Sequence, residues 1–109
     1  MAKVDIETMR KIAMSFAEVT EQPHFEKTSF RVKQKIFATY DVKNNRACLK
    51  FSLVDQNIFS AFDNTIVYPV PNKWGLQGWT FVDLSKIKKP MFIDMLTQAY
   101  HVVAPKSKK

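Results

Sequence analysis

Glu21, His24 and Glu26 crowd into Glu21-Gln22-Pro23-His24-Phe25-Glu26, and their side-chain types suit two kinds of chemistry. One histidine and two carboxylates can hold a divalent metal, and the same groups can pass protons as general acid and base. Either use needs the three groups to converge, and their spacing matches no familiar metal or catalytic pattern. The other use open to Glu21 and His24 is a structural hydrogen bond near the sheet entrance. His101 has no histidine or cysteine near it in sequence. Cys48 is the sole cysteine, which excludes an intrachain disulfide and a zinc knuckle. Lying in the alternation Ala47-Cys48-Leu49, it reads as a buried, inert thiol. With only Gly75 and Gly78, the chain lacks a glycine-rich phosphate loop. No nucleophile is paired with a base, so the expectation is a non-enzymatic protein with no metal and no cofactor.

The second set of chemically capable residues is cationic. Net charge is +7, and three of those charges are Lys106, Lys108 and Lys109 at the end of the chain. Arg31, Lys33 and Lys35 fall on one parity of Ser29–Asp41, with Lys43 and Arg46 around a following turn. Phosphate contacts need only cations on a projecting element, but a solvated strand face carries the same residues. Lys86, Lys88 and Lys89 stand before a C-terminal helix, where cations oppose the macrodipole. They suit either a bound anion shared with free backbone N–H groups or a plain surface cluster. Trp74 and Trp79 flank the glycine-containing loop. An exposed indole can stack on a base. Trp79 is read as a buttress against the core, and Trp74 is open to both uses.

The elements that must position these residues follow from periodicity. Residues 5–18 place Met9, Ile12, Ala13 and Phe16 on one helical stripe, with Asp5 as N-cap. Thirteen residues from Ser29 to Asp41 exceed the usual strand of about 5–6, and Gln34 interrupts the apolar parity of Phe30, Val32, Ile36, Ala38 and Tyr40. Two strands meeting at Lys33-Gln34 are expected, with Lys33 and Lys35 near the tip and Arg31 further down. Asn44-Asn45 suits the next hairpin turn, followed by a strand with Ala47, Leu49, Phe51 and Leu53 on one face. Asp55 is the expected cap of a short helix carrying Ile58, Phe59 and Phe62. Strands at Ile66–Tyr68 and Trp79–Leu84 follow, then a helix running from Pro90 to Val103. The pattern predicts an α+β, two-layer domain, an antiparallel β-sheet with N- and C-terminal helices packed on one face. Residues 1–105 make one domain and 106–109 a basic tail.

These elements, in order, carry a resemblance. Glu21 with His24-Phe25, Ser29-Phe30-Arg31-Val32, Lys35-Ile36-Phe37-Ala38, Leu49-Lys50, Gly78-Trp79 and a last helix with Ala99-Tyr100 and Val102-Val103 resemble the MmcQ/YjbR family of small bacterial domains. Gln34 stands where that family usually has glycine, and Ala99 where it often has serine. The resemblance implies a fold likened to the frataxin homologue CyaY, and a DNA-binding label that rests on projecting hairpins likened to a double wing. The functional expectation is a non-catalytic module contacting DNA or another polyanion through Arg31, Lys33, Lys35, Lys43, Arg46, Lys86, Lys88 and Lys89. The alternative is a protein- or small-ligand-binding domain with a pocket between helices and sheet, a concave apolar site near Trp74. No apolar run approaches the roughly 18 residues of a membrane span, and no leader-like segment opens the chain. A cytoplasmic monomer away from membranes is expected.

Overall fold

The computed structural model describes residues 4–24 and 27–104, with His24 described by its backbone alone. Helix α1 spans Ile6–Met14, and its start is the expected one, because the Asp5 carboxylate accepts from the Thr8 amide at 2.9 Å. It ends four residues earlier than periodicity suggests. Ser15 caps it, Glu18 takes φ 66°, and the chain reverses into strand β1, Val19–His24, which the sequence pattern did not reveal. Pro23 hid this strand, yet β1 lies at the sheet edge, where a missing N–H costs no ladder bond.

Strands β2 (Lys27–Val32) and β3 (Lys35–Asp41) form the expected hairpin. Lys33 and Gln34 both take positive φ, 50° and 73°, the signature of a two-residue type I′ turn. A bulge changes the expected parity. Phe30 pairs with Ala38 but Arg31 pairs with Ile36, so Phe37 is the extra residue. Phe37 turns into the core with Ala38 and is fully buried, whereas Ile36 moves to the opposite sheet face.

Strand β4 (Arg46–Lys50) follows, and helix α2 covers Leu53–Phe62. Its cap is Ser52, not Asp55: the Ser52 hydroxyl accepts from the Asp55 amide at 3.1 Å. The helix thus begins earlier, which takes Leu53 out of the strand pattern, and Asp55 becomes a first-turn carboxylate favoured by the macrodipole. Strand β5 (Val67–Pro69), the one-turn helix α3 (Lys73–Leu76), strand β6 (Trp79–Asp83) and helix α4 (Lys89–Val103, Pro90 in its first turn) complete the chain.

The fold is α+β. Six antiparallel strands run in the order β1-β2-β3-β4-β6-β5. One sheet face carries Phe30, Val32, Ala38, Leu49, Val67 and Val82 against Met9 of α1 and Phe92, Met95 and Leu96 of α4. Phe16, Phe37 and Tyr100 stack where the two terminal helices meet that face. Helix α2 joins the same layer through Phe59, whose ring lies 5.0 Å from that of Phe51. Among the described residues, neither terminal helix nor α2 reaches the other face of the sheet, which stays bare.

Candidate functional site

The cations expected to act together fall into two groups. Lys33 and Lys35 sit at the β2–β3 tip, where the Lys33 ammonium stands 3.9 Å from Glu18. Lys43 and Arg46 flank the β3–β4 turn, at the other end of β3. Lys86 follows β6, Lys88 is the N-cap of α4 with no side-chain cap bond, and Lys89 opens the helix. The Leu84 amide donates to the Asn45 carbonyl, which ties this segment to the β3–β4 turn. At roughly 3.3 Å per residue, the seven residues of β3 separate the groups by about 20 Å. Lys86, Lys88 and Lys89 are exposed, and Asp41, Asp63 and Asp83 share their end of the sheet. Neither group is a uniform basic patch.

Strand alternation builds a more coherent surface on the bare face. Opposite Ala47 and Leu49, β4 presents Arg46, Cys48 and Lys50; opposite Thr80 and Val82, β6 presents Trp79, Phe81 and Asp83. Tyr68 of β5 pairs with Phe81, and the two rings meet edge to face at 5.7 Å. The Arg46 guanidinium lies 3.8 Å from the Phe81 centroid and 3.5 Å from the Tyr68 hydroxyl. Its Nε is buried without a hydrogen-bond partner. Lys50 stands 5.6 Å from the Trp79 ring centroid and donates to the Gln77 carbonyl. On β2, Arg31 lies along the same face, its Nε donating to the buried Ser29 hydroxyl at 3.0 Å. Among the described residues, the strand cations Lys27, Arg31, Arg46 and Lys50 outnumber the carboxylates Asp41 and Asp83.

A concavity of about 410 Å³ opens on this face, on the side of the sheet away from the helices and not between helices and sheet as expected. Ile36, Thr39, Cys48, Trp79 and Phe81 form its floor, Val70 and Trp74 a wall, and Lys27 its rim. The wall is held by close backbone approach at the chain's two glycines. A Cβ on Gly75 would collide with the Val70 carbonyl, and one on Gly78 with the Phe51 carbonyl; Gly78 also needs φ 104°. Asn72 caps α3 by accepting from the Trp74 amide at 2.9 Å, which leaves the indole 51% exposed above the face. Trp79 is therefore no core buttress: it belongs to the exposed layer, half-buried beside the concavity. Cys48 is half-buried on the floor of the concavity and not sealed in the core as expected, because it lies on the uncovered face of β4; desolvation there still pushes its thiol up to about 11, so it stays protonated near neutral pH.

Of the uses open to it, Glu21 makes the structural contact. Its carboxylate accepts from Arg10 Nε at 2.6 Å and Nη2 at 2.9 Å, and from the Thr28 hydroxyl at 2.9 Å. The Arg10 fork holds this carboxyl below the usual glutamate range and ties α1 to the β1 edge. The side chain of His24, with Phe25 and Glu26, lies outside the described residues. Among the described residues no three of His, Cys, Asp and Glu gather closely enough to hold a metal. His101 is exposed on α4.

Fold and surface together define a two-layer α+β domain that presents an aromatic, cation-edged sheet face. The chain belongs to the YjbR family, whose model matches residues 14–102. It is also similar in structure to the Deinococcus radiodurans protein DR2400, with a DUF419 domain, at TM-score 0.78 and 18% identity, covering 91% of this chain and 78% of that one. That likeness speaks for the fold. No curated protein matches the chain.

Sequence reading named the cations and both tryptophans, but it missed the face that joins some of them. The signal was there in parity. Trp79 and Phe81 share one face of β6, and Arg46, Cys48 and Lys50 share one face of β4, each opposite the apolar residues that meet the helices.

Proposed function

We propose that this chain is a non-catalytic module for single-stranded nucleic acid, with the bare sheet face as its contact surface. The observation that carries the reading is the layer formed by Trp74, Trp79, Phe81 and Tyr68 with Arg46 and Lys50 laid against it. Aromatic faces on a sheet stack on bases without regard to sequence, and neighbouring cations meet the phosphates. A guanidinium plane over a ring extends the stacking surface. Trp79 and Phe81 are two residues apart on one strand, about 7 Å, which is twice the roughly 3.4 Å step between stacked bases along a strand. Bases lying on both rings must be unstacked from each other, and this favours single strands over duplex. The tip lysines Lys33 and Lys35 and the helix-end Lys86, Lys88 and Lys89 then serve as outlying electrostatic contacts.

The only two tryptophans are Trp74 and Trp79, so intrinsic fluorescence reports directly on the face. A single-stranded oligonucleotide should quench it, with affinity falling as salt rises because counterions are released. Trp79→Ala should weaken binding about tenfold, at the low end of the roughly 1–3 kcal/mol per stacked base. Preference for duplex, or binding untouched by Trp79→Ala, defeats the reading. The concavity of about 410 Å³ favours one second reading, a small planar anion held between Trp74 and Lys27. A mononucleotide that binds as tightly as the oligonucleotide selects it.

A further inference from the structure

Aromatic rings on an open face meet any base alike, but the concavity beside them does not. Strand pairing sets Ser29, Thr39, Cys48, Phe81 and Tyr68 in one row across the bare face. Thr39, Cys48 and Phe81 of this row floor the concavity, and its polar side chains are the Thr39 hydroxyl, the Cys48 thiol and the Lys27 ammonium. All three can donate a hydrogen bond, and only the Thr39 hydroxyl also accepts well. Ser29, beside it, is already engaged, donating to the Gln22 carbonyl at 2.8 Å and accepting from Arg31 at 3.0 Å. The half-buried Thr39 hydroxyl has no hydrogen-bond partner among the described residues. Carboxylates enter only in the next row, where Asp41 and Asp83 lie on either side of Arg46. Asp41 accepts from the Lys43 amide and the Asn44 side chain, and Asp83 from the amide and hydroxyl of Ser85. Neither lines the concavity. Donors are therefore in excess there.

We propose that the concavity takes one thymine or uracil base of a bound single strand and selects it over the other bases. This rests on the single-strand reading above and adds a base preference to it. The occupant follows from the hydrogen-bonding groups present. Cytosine, adenine and guanine each carry an exocyclic amine, whose two N–H donors need acceptors. A site rich in donors leaves such an amine unpaired, and an unpaired desolvated donor costs binding. Thymine and uracil have no amine. They present two carbonyl oxygens and a single ring N–H, which is the complement of this lining. Lys27 and the protonated Cys48 thiol donate to the carbonyls, and the Thr39 hydroxyl accepts from the ring N–H. The thymine methyl group then meets Ile36 and Val70, where a polar group would lose its water. A volume of about 410 Å³ admits one base with its sugar, and Trp74 and Trp79 supply rings for it to stack on.

Fluorescence titration of the full chain with octathymidylate and octacytidylate at equal salt tests this, since the two carry the same phosphates and similar rings. Octathymidylate should bind about tenfold more tightly, the low end for one unpaired donor, because the rim at Lys27 is open to water. Thr39→Val keeps the shape of the side chain and suits a strand. It should bring octathymidylate down to the octacytidylate level, leaving octacytidylate binding and the melting temperature unchanged. An octamer of 3-methylthymidine, which lacks the ring N–H, should bind wild type no better than octacytidylate does. Saturating octathymidylate should also slow alkylation of Cys48, the sole cysteine, by N-ethylmaleimide, and saturating octacytidylate should not. Equal affinity for the two oligomers, a preference that survives Thr39→Val, or a Cys48 left unprotected overturns the proposal while the single-strand reading stands. If neither oligomer binds, the single-strand reading falls and this proposal falls with it.

Discussion

The two faces of this sheet are written in the same strands by alternate residues, yet they follow different rules. Leu49 and Val82 on one side are sealed beneath α1 and α4, while their neighbours Cys48 and Phe81 lie on the uncovered side. A face meant only for solvent would suit threonine, lysine and glutamate. This one carries three aromatic residues, Tyr68, Trp79 and Phe81, and holds Arg46 against one of them. Keeping aromatic surface wet forgoes the hydrophobic gain of covering it. The two faces therefore differ in kind, since one is sealed into the core and the other leaves aromatic surface open.

The sharpest way to break that contrast is to truncate a phenylalanine on each side. Phe37→Ala opens a cavity among Phe16, Tyr100 and the bulge, and should cost about 3–5 kcal/mol, a large share of the stability of a domain this size. Phe81→Ala should cost about 1 kcal/mol or less, because the ring is only half-buried, yet weaken single-strand binding. Chemical denaturation and fluorescence titration of both variants check the pair. Equal losses of stability would erase the distinction between the faces.

Next in size is the loop that hangs Trp74 over the bare face. Gly78→Ala should lose about 2–4 kcal/mol, since a side chain there meets both a positive φ and the Phe51 carbonyl, to whose residue Gly78 is also tied by a backbone hydrogen bond of 3.0 Å. If the two faces have separate roles, this variant couples them: it should lower the denaturation midpoint and also shift the Trp74 emission. A change in one without the other would show that the loop serves a single face.

Much of this architecture was legible in sequence because the signals were local. The Asp5 cap, the turn at Lys33-Gln34 and the entry of α4 at Pro90 each rest on a few neighbouring residues. What stayed hidden depended on partners far along the chain. Val19–His24 became a strand only because β2 lies beside it, and Pro23 is allowed only because that strand is at the edge. The Phe37 bulge shows itself only in the pairing of β2 with β3. The bare face joins β2, β3, β4, β6 and β5, so no short window contains it. Cations at the β2–β3 tip and at the start of α4 looked alike in sequence; topology set them at opposite ends.

The smallest expected effect concerns the turn that fixes which residues reach which face. Lys33 and Gln34 both sit in the left-handed region, which costs an L-residue roughly 1–2 kcal/mol. Gln34→Gly removes that cost at one position but adds backbone freedom to the unfolded chain, so a net gain of about 0.5–1 kcal/mol is expected. Because the turn sets the register up to the bulge, the variant should strengthen the present arrangement, with Phe37 inward and Ile36 outward. Amide exchange across Arg31 and Ile36 should slow, and oligonucleotide quenching of Trp79 should not change. A loss of stability would mean that the Gln34 side chain holds the tip by a contact outweighing its backbone strain. Altered quenching would mean that the hairpin tip, about 20 Å from the opposite end of β3, takes part in the binding face after all.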